Sequence, residues 1–381
     1  MNVPAYVLVS GDFVKTGGMD RANHALASYL LKRGDEVALV AHRVDGELLE
    51  RPGAAFHRAP KPLNSYLLGE PLLRREGRRW ARRMSKQGAR VVVNGGNCDW
   101  GDVNWVHYVH AAWTPRGAEG VGPLRAAKQM LAHRLACRAE RASLRRARVV
   151  IANSNGTRRQ LLERLGLPAE RVYTVYYGVD ASQFRHATNA ERTEARKRMG
   201  WDDDRPALAF VGALGDHRKG LDTLLAAWRR LAAEGEWDVR LVVMGAGAAL
   251  DRLRQEARDL GESLVFLGFR RDVSVVLRAC DALVSPTRYE AYGLNVHEAL
   301  CCGLPALVSK DAGIAERYPQ ELAELLIDDP DDPAELVNKL RIWRGNRARL
   351  AEAVGRFGER LREYGWDDMA RRILEVVEET A

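Results

Sequence analysis

Two acidic residues frame the segment SPTRYEAYGLNVHEALCCGLPALVS, which spans residues 285–309. Glu290 follows a short apolar run that predicts a β-strand, and Glu298 lies beyond seven intervening residues, in a run that predicts a helix. Gly303 and Pro305 are predicted to end that helix, because both residue types are common stop signals. Carboxylates placed before and inside a helix start are candidates for binding a polar ligand there.

The start of the same helix favours an anion. Gly293 and Leu294 fall in its first turn, where backbone N–H groups have no intrahelical acceptor and point towards a negative charge. Carboxylates repel phosphate, so the two glutamates are better suited to accept hydrogen bonds from sugar hydroxyls. A ligand with phosphate in the middle and a hydroxylated ring at each end is a nucleotide sugar. The alternative is that both glutamates are solvated surface residues.

A second anion site is predicted in the segment FVGALGDHRKGLDTLLAAWRRL. Arg218 and Lys219 follow a strand and a glycine turn, and the next helix is predicted to begin near Gly220 or Leu221. The positive end of the helix macrodipole lies there, so two cations are unfavourable unless an anion binds with them. A diphosphate is the natural candidate. Two solvated surface charges, partly offset by Asp222, are the alternative.

Other glycine turns also follow predicted strands. Gly245 and Gly247 in VMGAGAALDRL permit a tight turn, but this turn lacks the third glycine of a dinucleotide fingerprint. The first strand-to-helix turn, SGDFVKTGGMDRANHAL, does not fit that fingerprint either, so a nicotinamide cofactor is disfavoured. Gly17 and Gly18 predict a loop of close backbone approach, unless they form a plain turn into a helix.

Composition and charge limit the class of protein. A chain of 381 residues with 46% hydrophobic and 29% charged residues is typical of a soluble protein of about two domains. No apolar run approaches the roughly 20 residues that span a bilayer, and MNVPAYVLVSGDF predicts a first strand rather than a signal peptide. Five cysteines without C-x-x-C spacing indicate a reducing compartment and no structural zinc. We expect a cytoplasmic protein whose net charge of +8 and pI ≈ 9.3 attract an anionic partner.

Short apolar runs alternate with amphipathic helices along nearly the whole chain, a pattern typical of α/β folds with parallel sheets. Strands are predicted in the first half at AYVLVS, VALVAH, ARVVVNG, VNWVHYV, RVVIANS and RVYTVYYG. In the second half they are predicted at ALAFVGA, RLVVMGA, SLVFLGF, DALVSP and PALVS. The polar segment DASQFRHATNAERTEARKRMGWDDDRP between the halves is interpreted as a linker. Two doubly wound domains are therefore predicted, with ligands beyond the carboxyl ends of their strands.

Several motifs occur together and in order. VVIANSNGTRRQL and VYYGVD close the first half, and HRKGLDTLLAA, VVMGAG, FLGFRRD and the two glutamates around Gly293 follow. This combination resembles the GT-B fold glycosyltransferases of family 4, retaining enzymes that use nucleotide-diphosphate sugars, over essentially the whole chain. The resemblance implies two Rossmann-like domains facing each other across a cleft. Residues 1–185 would form the acceptor side, residues 186–365 would bind the nucleotide sugar, and residues 366–381 would form a helix crossing back to the first domain.

The resemblance also implies a role for each candidate residue. Arg218 and Lys219 would bind and stabilise the donor diphosphate. Glu290 would hold hydroxyls of the donor sugar, and Glu298 those of the ribose. The implied catalytic residues are Glu290, Arg218, Lys219 and His110. The implied donor-binding residues are Gly17, Gly18, Gly212, Gly245, Arg271, Tyr292, Gly293, Leu294 and Glu298.

The family usually has a histidine near the sugar, after a strand of the first domain. The segment WVHYVHAAW offers His107 and His110, and His110 is favoured because it is predicted to lie nearer the strand exit. Either histidine could instead be a packed one. Two positions depart from the family pattern: Tyr292 stands where phenylalanine is common, and His297 stands where a small or apolar residue is usual.

Since no protein nucleophile is obvious, the resemblance fits a front-face substitution in which the leaving phosphate takes the acceptor proton. No cofactor and no metal are expected, because the acidic runs WDDDRP and DDPDDP are interpreted as solvated turns. A nucleotide-sugar epimerase on the same architecture is one alternative, whereas an α-glucan phosphorylase would need a pyridoxal lysine in a context that this sequence lacks. A nucleic-acid-binding protein is the other alternative, although the sequence lacks aromatics interleaved on a basic strand.

Two basic helices are predicted in the first domain. Their cations recur three and four residues apart, so each set shares one helical face. The sets are Arg134, Arg138, Arg141, Arg145 and Arg148, and Arg75, Arg79, Arg82 and Lys86. Leu131 and Leu135 lie on an apolar face beside the first set. Unless these cations are simply solvated, they predict a peripheral enzyme at an anionic membrane surface, acting on a lipid-linked or other anionic acceptor. The usual family role would be bacterial surface-polysaccharide assembly.

Overall fold

A computed structural model of the chain describes residues 5–115, 123–215 and 217–380. These residues divide into two compact units. The first contains residues 5–114, 123–178 and 365–380, and the second contains residues 115, 179–215 and 217–364. Each unit is built around one large parallel sheet with helices in its connections.

The first unit has a seven-stranded sheet in the order β5-β3-β1-β6-β7-β8-β9. Its strands are β1 (Ala5–Val9), β3 (Glu36–Ala41), β5 (Ala54–Arg58), β6 (Arg90–Asn94), β7 (Val103–Val106), β8 (Val149–Ala152) and β9 (Val172–Thr174), with a separate short pair β2 (Asp12–Phe13) and β4 (Arg43–Val44). Its helices are α1 (Gly18–Arg33), α2 (Gly46–Leu49), α3 (Tyr66–Ser85), α4 (Pro123–Arg146) and α5 (Asn155–Leu165). The central strands are buried on both faces, as continuous apolar runs in a parallel sheet require.

The second unit has a six-stranded sheet in the order β12-β11-β10-β13-β14-β15. Its strands are β10 (Ala207–Val211), β11 (Arg240–Met244), β12 (Leu264–Gly268), β13 (Ala282–Ser285), β14 (Ala306–Ser309) and β15 (Leu326–Ile327). Its helices are α6 (Asn189–Arg198), α7 (Leu221–Ala233), α8 (Leu250–Glu256), α9 (Val273–Ala279), α10 (Leu294–Cys301), α11 (Pro333–Gly345) and α12 (Arg347–Arg362). Leu208 and Ala209 of β10 pair in register with Ala282 and Leu283 of β13.

Strand order reverses once in each sheet. The first strand of the first unit, β1, lies between β3 and β6, and the first strand of the second unit, β10, lies between β11 and β13. The connections from these neighbouring strands leave towards opposite faces, so a crevice opens beyond their carboxyl ends. The loops after β10 and β13 therefore form the natural ligand site of the second unit.

All eleven predicted strands are present, but three details of the sequence interpretation are wrong. The strand predicted over VNWVHYV ends at Val106, where the chain turns towards a 3-10 helix. The segment interpreted as a linker contains α6, which begins with a capping box between Thr188 and Glu191. Arg148 lies beyond the end of α4 and pairs with Asp102 at 3.0 Å, so it does not continue the arginine face of that helix.

The sequence analysis also made predictions about the cysteines and about membrane-spanning segments. All five cysteines are free thiols in this structure. Within the described residues, no helix is both long enough and apolar enough to cross a bilayer.

The C-terminal helix α13 (Trp366–Glu379) packs against α1 in the first unit. The Trp366 ring lies 6.2 Å from the Tyr177 ring, measured between centroids. Gly178 follows Tyr177 and lies so close to the start of α13 that a Cβ atom there would be 2.2 Å from the carbonyl oxygen of Gly365. Only glycine permits this approach, because the opposing atoms are backbone.

We predict that Gly178→Ala lowers the thermal midpoint of unfolding, because the added methyl overlaps backbone that cannot rotate away. Overpacking of this kind costs roughly 1–3 kcal/mol. Gly46→Ala is the matched control, since a Cβ at Gly46 would meet nothing within 4 Å. Calorimetry of the two variants checks the prediction, and equal midpoints for both variants and the wild type would contradict it.

Candidate active site

Two glycines bring the loops after β10 and β11 into backbone contact. The Gly212 N–H donates to the Met244 carbonyl at 3.0 Å. Gly245 has φ 156°, and a Cβ there would lie 1.9 Å from the carbonyl oxygen of Gly212. Neither turn resembles a dinucleotide fingerprint, so these glycines serve the close packing of two exit loops. Their packing fixes the loop that leads to the cations.

Arg218 and Lys219 lie in a 3-10 turn, His217–Lys219, directly before α7. Gly220 follows with φ 68°, and a Cβ there would lie 1.8 Å from the carbonyl oxygen of Pro286. The helix begins at Leu221, as the sequence predicted. The turn that carries Arg218 and Lys219, called the cation turn below, therefore packs against the loop that follows β13.

Glu290 meets both cations. Its carboxylate forms a close ion pair with the Lys219 ammonium, and its Oε2 lies 3.9 Å from the Arg218 guanidinium. The three side chains are only 13–17% exposed. Burial alone would raise the pKa of Glu290, but the charges of Lys219 and Arg218 outweigh it and lower that pKa. Glu290 is therefore ionised at neutral pH, and the cluster carries one net positive charge.

The backbone of the cation turn is held by Arg288, which the sequence interpretation missed. The Arg288 N–H donates to the Arg218 carbonyl at 2.8 Å, and its guanidinium donates to the His217 carbonyl. That guanidinium also donates to both carboxylate oxygens of Asp222, at 2.8 and 2.9 Å, and pairs with Asp331. A cation directly after a strand exit was the available signal, but its partners are 43 to 71 residues away in the sequence.

Two acidic residues have other roles than the sequence indicated. Asp222, interpreted as a partial offset for Arg218 and Lys219, instead accepts from Arg288 and lies 3.0 Å from the His217 imidazole. Asp331 in DDPDDP, interpreted as part of a solvated turn, pairs with Arg288. Burial would raise the pKa of Asp222, but the hydrogen bonds and charges of Arg288 and His217 lower it. Both carboxylates thus support the cation turn.

The first turn of α10 lies beside Glu290 and the end of β10. Gly293 precedes the helix with φ 104°, and a Cβ there would lie 2.9 Å from a methyl carbon of Ile314. The Gly293 carbonyl accepts from the N–H groups of Val296 and His297 at 3.0 Å, as the first helical acceptor should. The Asn295 side chain donates to the Val211 carbonyl at 3.0 Å, which joins this helix start to the end of β10.

Glu298, Tyr292 and His297 are buried around this helix. Glu298 lies in its second turn and is 4% exposed. The Tyr292 hydroxyl lies 3.0 Å from His297 Nδ1 and accepts from Arg317 at 3.3 Å. Burial, together with the charge of Arg317, lowers the pKa of His297 to about 3, so this imidazole is neutral. The two departures from the family pattern are thus partners in one buried hydrogen bond.

Arg271 stands apart from these contacts. It is exposed in the loop between β12 and α9, and within the described residues it forms no ion pair. Its neighbour Arg270 is engaged with Asp272 at 2.6 and 2.8 Å. The geometry does not bring Arg271 into the Lys219 cluster, and its role in donor binding stays a prediction.

In the first unit, Gly17 and Gly18 lie at the start of α1, beyond the exit of β1. Gly17 has φ 85° and precedes the helix, and its carbonyl accepts from the Arg21 N–H at 3.2 Å. Gly18 is the first helical residue. The two glycines therefore lie in the loop that follows β1, the strand at which the order of the first sheet reverses. Loops in this position are where such sheets bind ligands.

The two candidate histidines differ in environment. His107 directly follows β7, so it lies nearer the strand exit than His110, and the reason for favouring His110 is wrong. Both ring nitrogens of His107 are engaged, one with the Asn94 amide at 3.0 Å and the other with the Tyr177 hydroxyl. Burial lowers the pKa of His107 to about 3. Such a ring is a packed structural group.

His110 begins a 3-10 turn, His110–Ala112, and its side chain is partly exposed. Burial and the charge of His133 lower the pKa of His110 to about 4, so its imidazole is neutral and can donate or accept a hydrogen bond. Its access to solvent, rather than its distance from the strand, distinguishes it from His107. The role of His110 at the sugar stays a prediction.

Family models match both parts of the chain. A model described as Glycosyltransferase Family 4 matches residues 16–183, and one described as Glycosyl transferases group 1 matches residues 205–343. The chain belongs to the family-4 glycosyltransferases. Its two parallel sheets are those of the GT-B fold.

Named relatives of this glycosyltransferase include D-inositol 3-phosphate glycosyltransferase 1 of Catenulispora acidiphila. The two are 29% identical over 239 residues, which covers 60% of this chain and 56% of that protein. A GDP-mannose-dependent monoacylated alpha-(1-6)-phosphatidylinositol monomannoside mannosyltransferase of Corynebacterium glutamicum is 28% identical over 222 residues, covering 53% of this chain and 54% of that protein. The matches thus span little more than half the length of these relatives.

Solved glycosyltransferase structures share the fold over the whole chain. WaaG, a glycosyltransferase involved in lipopolysaccharide biosynthesis, matches with a TM-score of 0.75 at 18% identity and covers 98% of this chain and 99% of its own. At this identity the likeness concerns the fold alone. It is consistent with the strand order in both units of this family-4 enzyme.

We predict that the Tyr292–His297 pair is energetically coupled. Tyr292→Phe leaves a buried imidazole nitrogen without its partner and should cost roughly 1–3 kcal/mol. Adding His297→Leu removes that nitrogen, so the double variant should lose less stability than the sum of the single variants, with a coupling of about 0.5–3 kcal/mol. Thermal or urea unfolding of the four proteins measures this cycle.

The matched control uses Tyr318, whose hydroxyl donates to the Ala306 carbonyl at 2.8 Å and not to His297. Tyr318→Phe combined with His297→Leu should be additive. Additivity in the Tyr292 cycle as well would show that the two departures are independent.

Proposed function

We propose that this enzyme is a retaining glycosyltransferase that moves a sugar from a UDP- or GDP-type nucleotide sugar to a glycan or lipid-linked acceptor. One observation carries the proposal: Arg218 and Lys219 after β10 meet Glu290 after β13, at the place where the sheet order reverses. This is where α/β sheets bind ligands. Two cations and one carboxylate there fit a ligand that is anionic on one side and hydroxylated on the other.

The charge of the cluster favours a diphosphate. With Glu290 ionised, Arg218 and Lys219 leave one excess positive charge in a site that is mostly shielded from water. The first-turn N–H groups of α10 add to this potential, since Gly293 and Leu294 lie at the positive end of that helix. Donors fixed in this way would stabilise the charge that develops on the departing diphosphate.

Glu290 supports the sugar side of the proposal. The Lys219 ammonium has three donors, so it can contact phosphate while it keeps a hydrogen bond to Glu290. An ionised carboxylate beside the diphosphate can accept from donor-sugar hydroxyls and stabilise positive charge near the anomeric carbon. Glu298, buried in the second turn of the same helix, is assigned to the ribose hydroxyls.

The proposed step is a front-face substitution. The bond from the anomeric carbon to the diphosphate oxygen breaks, and a bond from that carbon to the acceptor oxygen forms on the same face. Because the new bond forms on the face from which the diphosphate departs, the anomeric configuration is retained, and the acceptor hydroxyl gives its proton to the departing phosphate oxygen. Lys219 and Arg218 supply the positive charge that the leaving group needs, and we propose that no metal or cofactor takes part.

A lipid-linked acceptor at an anionic membrane surface is part of the proposal. Arg134 and Arg138 on α4 are exposed. Leu131, which precedes them, is 56% exposed, and Leu135, which lies between them in the sequence, is 43% exposed. Exposed leucines among arginines are typical of a helix that lies in the membrane interface. On α3, Arg75, Arg79, Arg82 and Arg83 are exposed, and Lys86 is exposed directly after the helix. The similar mannosyltransferase of Corynebacterium glutamicum, named for a phosphatidylinositol substrate, supports an acceptor of this class.

We predict that Lys219→Ala lowers the rate of sugar transfer about 10²–10³-fold at saturating donor, because one donor to the leaving phosphate is lost. Glu290→Gln should also lower transfer while UDP or GDP alone still binds, since this acid faces the sugar. The measurements are transfer from a panel of UDP- and GDP-sugars, nucleotide binding by thermal shift, and the anomeric configuration of the product by NMR.

Lys310→Ala is the matched control, because Lys310 is exposed after β14 and pairs with Asp328 at 2.9 Å. It should leave transfer unchanged. Near wild-type turnover in Lys219→Ala would contradict the diphosphate assignment, and an inverted product would contradict retention. Interconversion of donor sugars without an acceptor would favour the epimerase alternative, and activity that is lost in EDTA and restored by a divalent cation would contradict the metal-free step.

We predict that the enzyme co-sediments with anionic liposomes and less with neutral ones, and that salt weakens the binding. Arg134→Glu with Arg138→Glu should reduce binding, since each basic residue near an anionic leaflet contributes about 1 kcal/mol. Arg356→Glu with Arg360→Glu on α12 makes the same change in net charge at two exposed positions and is the control. Equal loss in both pairs would indicate an effect of total charge, and equal recovery with neutral and anionic liposomes would contradict membrane binding.

A further inference from the structure

The buried face of α4 carries one acidic residue. Ser143 and Leu144 are fully buried on this face, and Glu140 is buried with them at 0% exposure. A carboxylate without solvent is costly unless hydrogen bonds satisfy it. The arginines of α4 that are nearest in sequence point to solvent, so a surface ion pair does not explain this residue.

Glu140 holds the turn that carries His110. Its Oε1 accepts from the His110 N–H at 2.8 Å, and its Oε2 accepts from the Ala111 N–H at 3.1 Å. These are the first two N–H groups of the 3-10 turn, which Val109 precedes without a side-chain cap. Such groups lack acceptors within the turn and favour a negative charge. The carboxylate therefore caps the turn from another helix.

The helix beneath Glu140 is fixed to the sheet. The Asn104 amide of β7 donates to the Ser143 hydroxyl at 2.8 Å, and that hydroxyl donates to the Cys98 carbonyl at 2.6 Å. A Cβ at Gly96 would lie 3.0 Å from the Glu140 nitrogen, so the chain passes close to α4 at this residue. Because α4 cannot shift easily, the carboxylate fixes the position of the His110 turn.

We propose that Glu140 is a positioning residue for His110 and that it acts in its ionised form. The ionised carboxylate accepts both N–H groups, one with each oxygen. A protonated carboxyl would turn an O–H towards one of the two N–H groups and loosen the turn. The proposal rests on the role of His110 at the donor sugar.

The surroundings of Glu140 make this ionisation relevant near neutral pH. Burial raises the pKa of Glu140 to about 7, although the two backbone hydrogen bonds and the charge of Arg141 act in the opposite direction. The other titratable groups here are His110 on the turn, and His133 and Cys137 on α4, whose Sγ lies 3.5 Å from His133 Nε2. Because folding raises the pKa of Glu140, ionisation of its carboxyl lowers the free energy of unfolding. This loss of stability is complete above about pH 7 and disappears below the ordinary pKa of a glutamate carboxyl.

The test compares pH profiles of wild type, Glu140→Gln and His110→Ala, with transfer of sugar from the nucleotide-sugar donor as the assay. In wild type, kcat/KM should fall with an apparent pKa near 7 on the acid side. Glu140→Gln should lower kcat/KM roughly 10–100-fold at pH 8, as displaced catalytic groups do, and should lose that acid limb. Its thermal midpoint at pH 8 should be no lower than that of wild type, because a destabilising charge is removed. Glu163→Gln, at an exposed position on α5, should match wild type throughout.

The outcomes separate the two levels of the proposal. Loss of activity in His110→Ala, with full activity and an intact acid limb in Glu140→Gln, would overturn the positioning role and leave the proposed function standing. Full activity in His110→Ala would overturn the role of His110 and the positioning role with it. Loss of activity in Glu140→Gln with a lower thermal midpoint at every pH would show a merely structural residue and also overturn the proposal.

Discussion

The ion cluster of Lys219, Arg218 and Glu290 is the interaction on which the second unit depends. Like charges placed together in a mostly buried site repel, and a neighbouring carboxylate is what makes this arrangement tolerable without a ligand. Glu290 has that position because β13 lies next to β10 in the sheet, so their exit loops meet. The strand order therefore brings together charges that are 71 residues apart in the sequence.

Backbone contacts fix the loops that carry the side chains of this cluster. Lysine has a long and flexible side chain, so its ammonium is well placed only if the turn beneath it is fixed. Gly220 packs on Pro286, Gly245 packs on Gly212, and Arg288 binds the carbonyls of the cation turn. This chain thus fixes the positive charges of Arg218 and Lys219 through glycine contacts and through Arg288, which is itself paired with Asp222 and Asp331.

The parts of the fold that could be predicted are those with a strong local signal. Buried parallel strands are continuous apolar runs, and glycine or proline marks helix ends, so strands such as β10 and the limits of α10 follow from the sequence. The polar helix α6 has no apolar stripe. It packs instead through Arg192 and Arg196, which donate to the carbonyls of Cys280 and Ala279, and composition does not reveal such contacts. The edge strands β5 and β15 were missed because they are partly exposed or very short.

The candidate site was predictable where a residue type is itself unusual for its place, as with two cations at a helix start. Arg288 and Glu140 were missed because their importance lies in partners distant in sequence, and a single charged residue carries no sign of them. The accessibility of the two histidines was missed for a related reason. It depends on where β7 ends and on which imidazole has buried hydrogen-bond partners, and neither follows from the spacing of the histidines.

His297 beside Glu298 shows how a departure from a family pattern is accommodated. Successive residues of a helix point about 100° apart, so the imidazole and the carboxylate do not share a face. The imidazole is directed to the Tyr292 hydroxyl, and burial keeps it neutral. A neutral pair adds no charge beneath the first turn of α10, where Gly293 and Leu294 would meet phosphate. The hydrogen-bonded pair therefore replaces two apolar groups in the core under the site without adding a charge. The charge of the site comes from Lys219, Arg218 and Glu290.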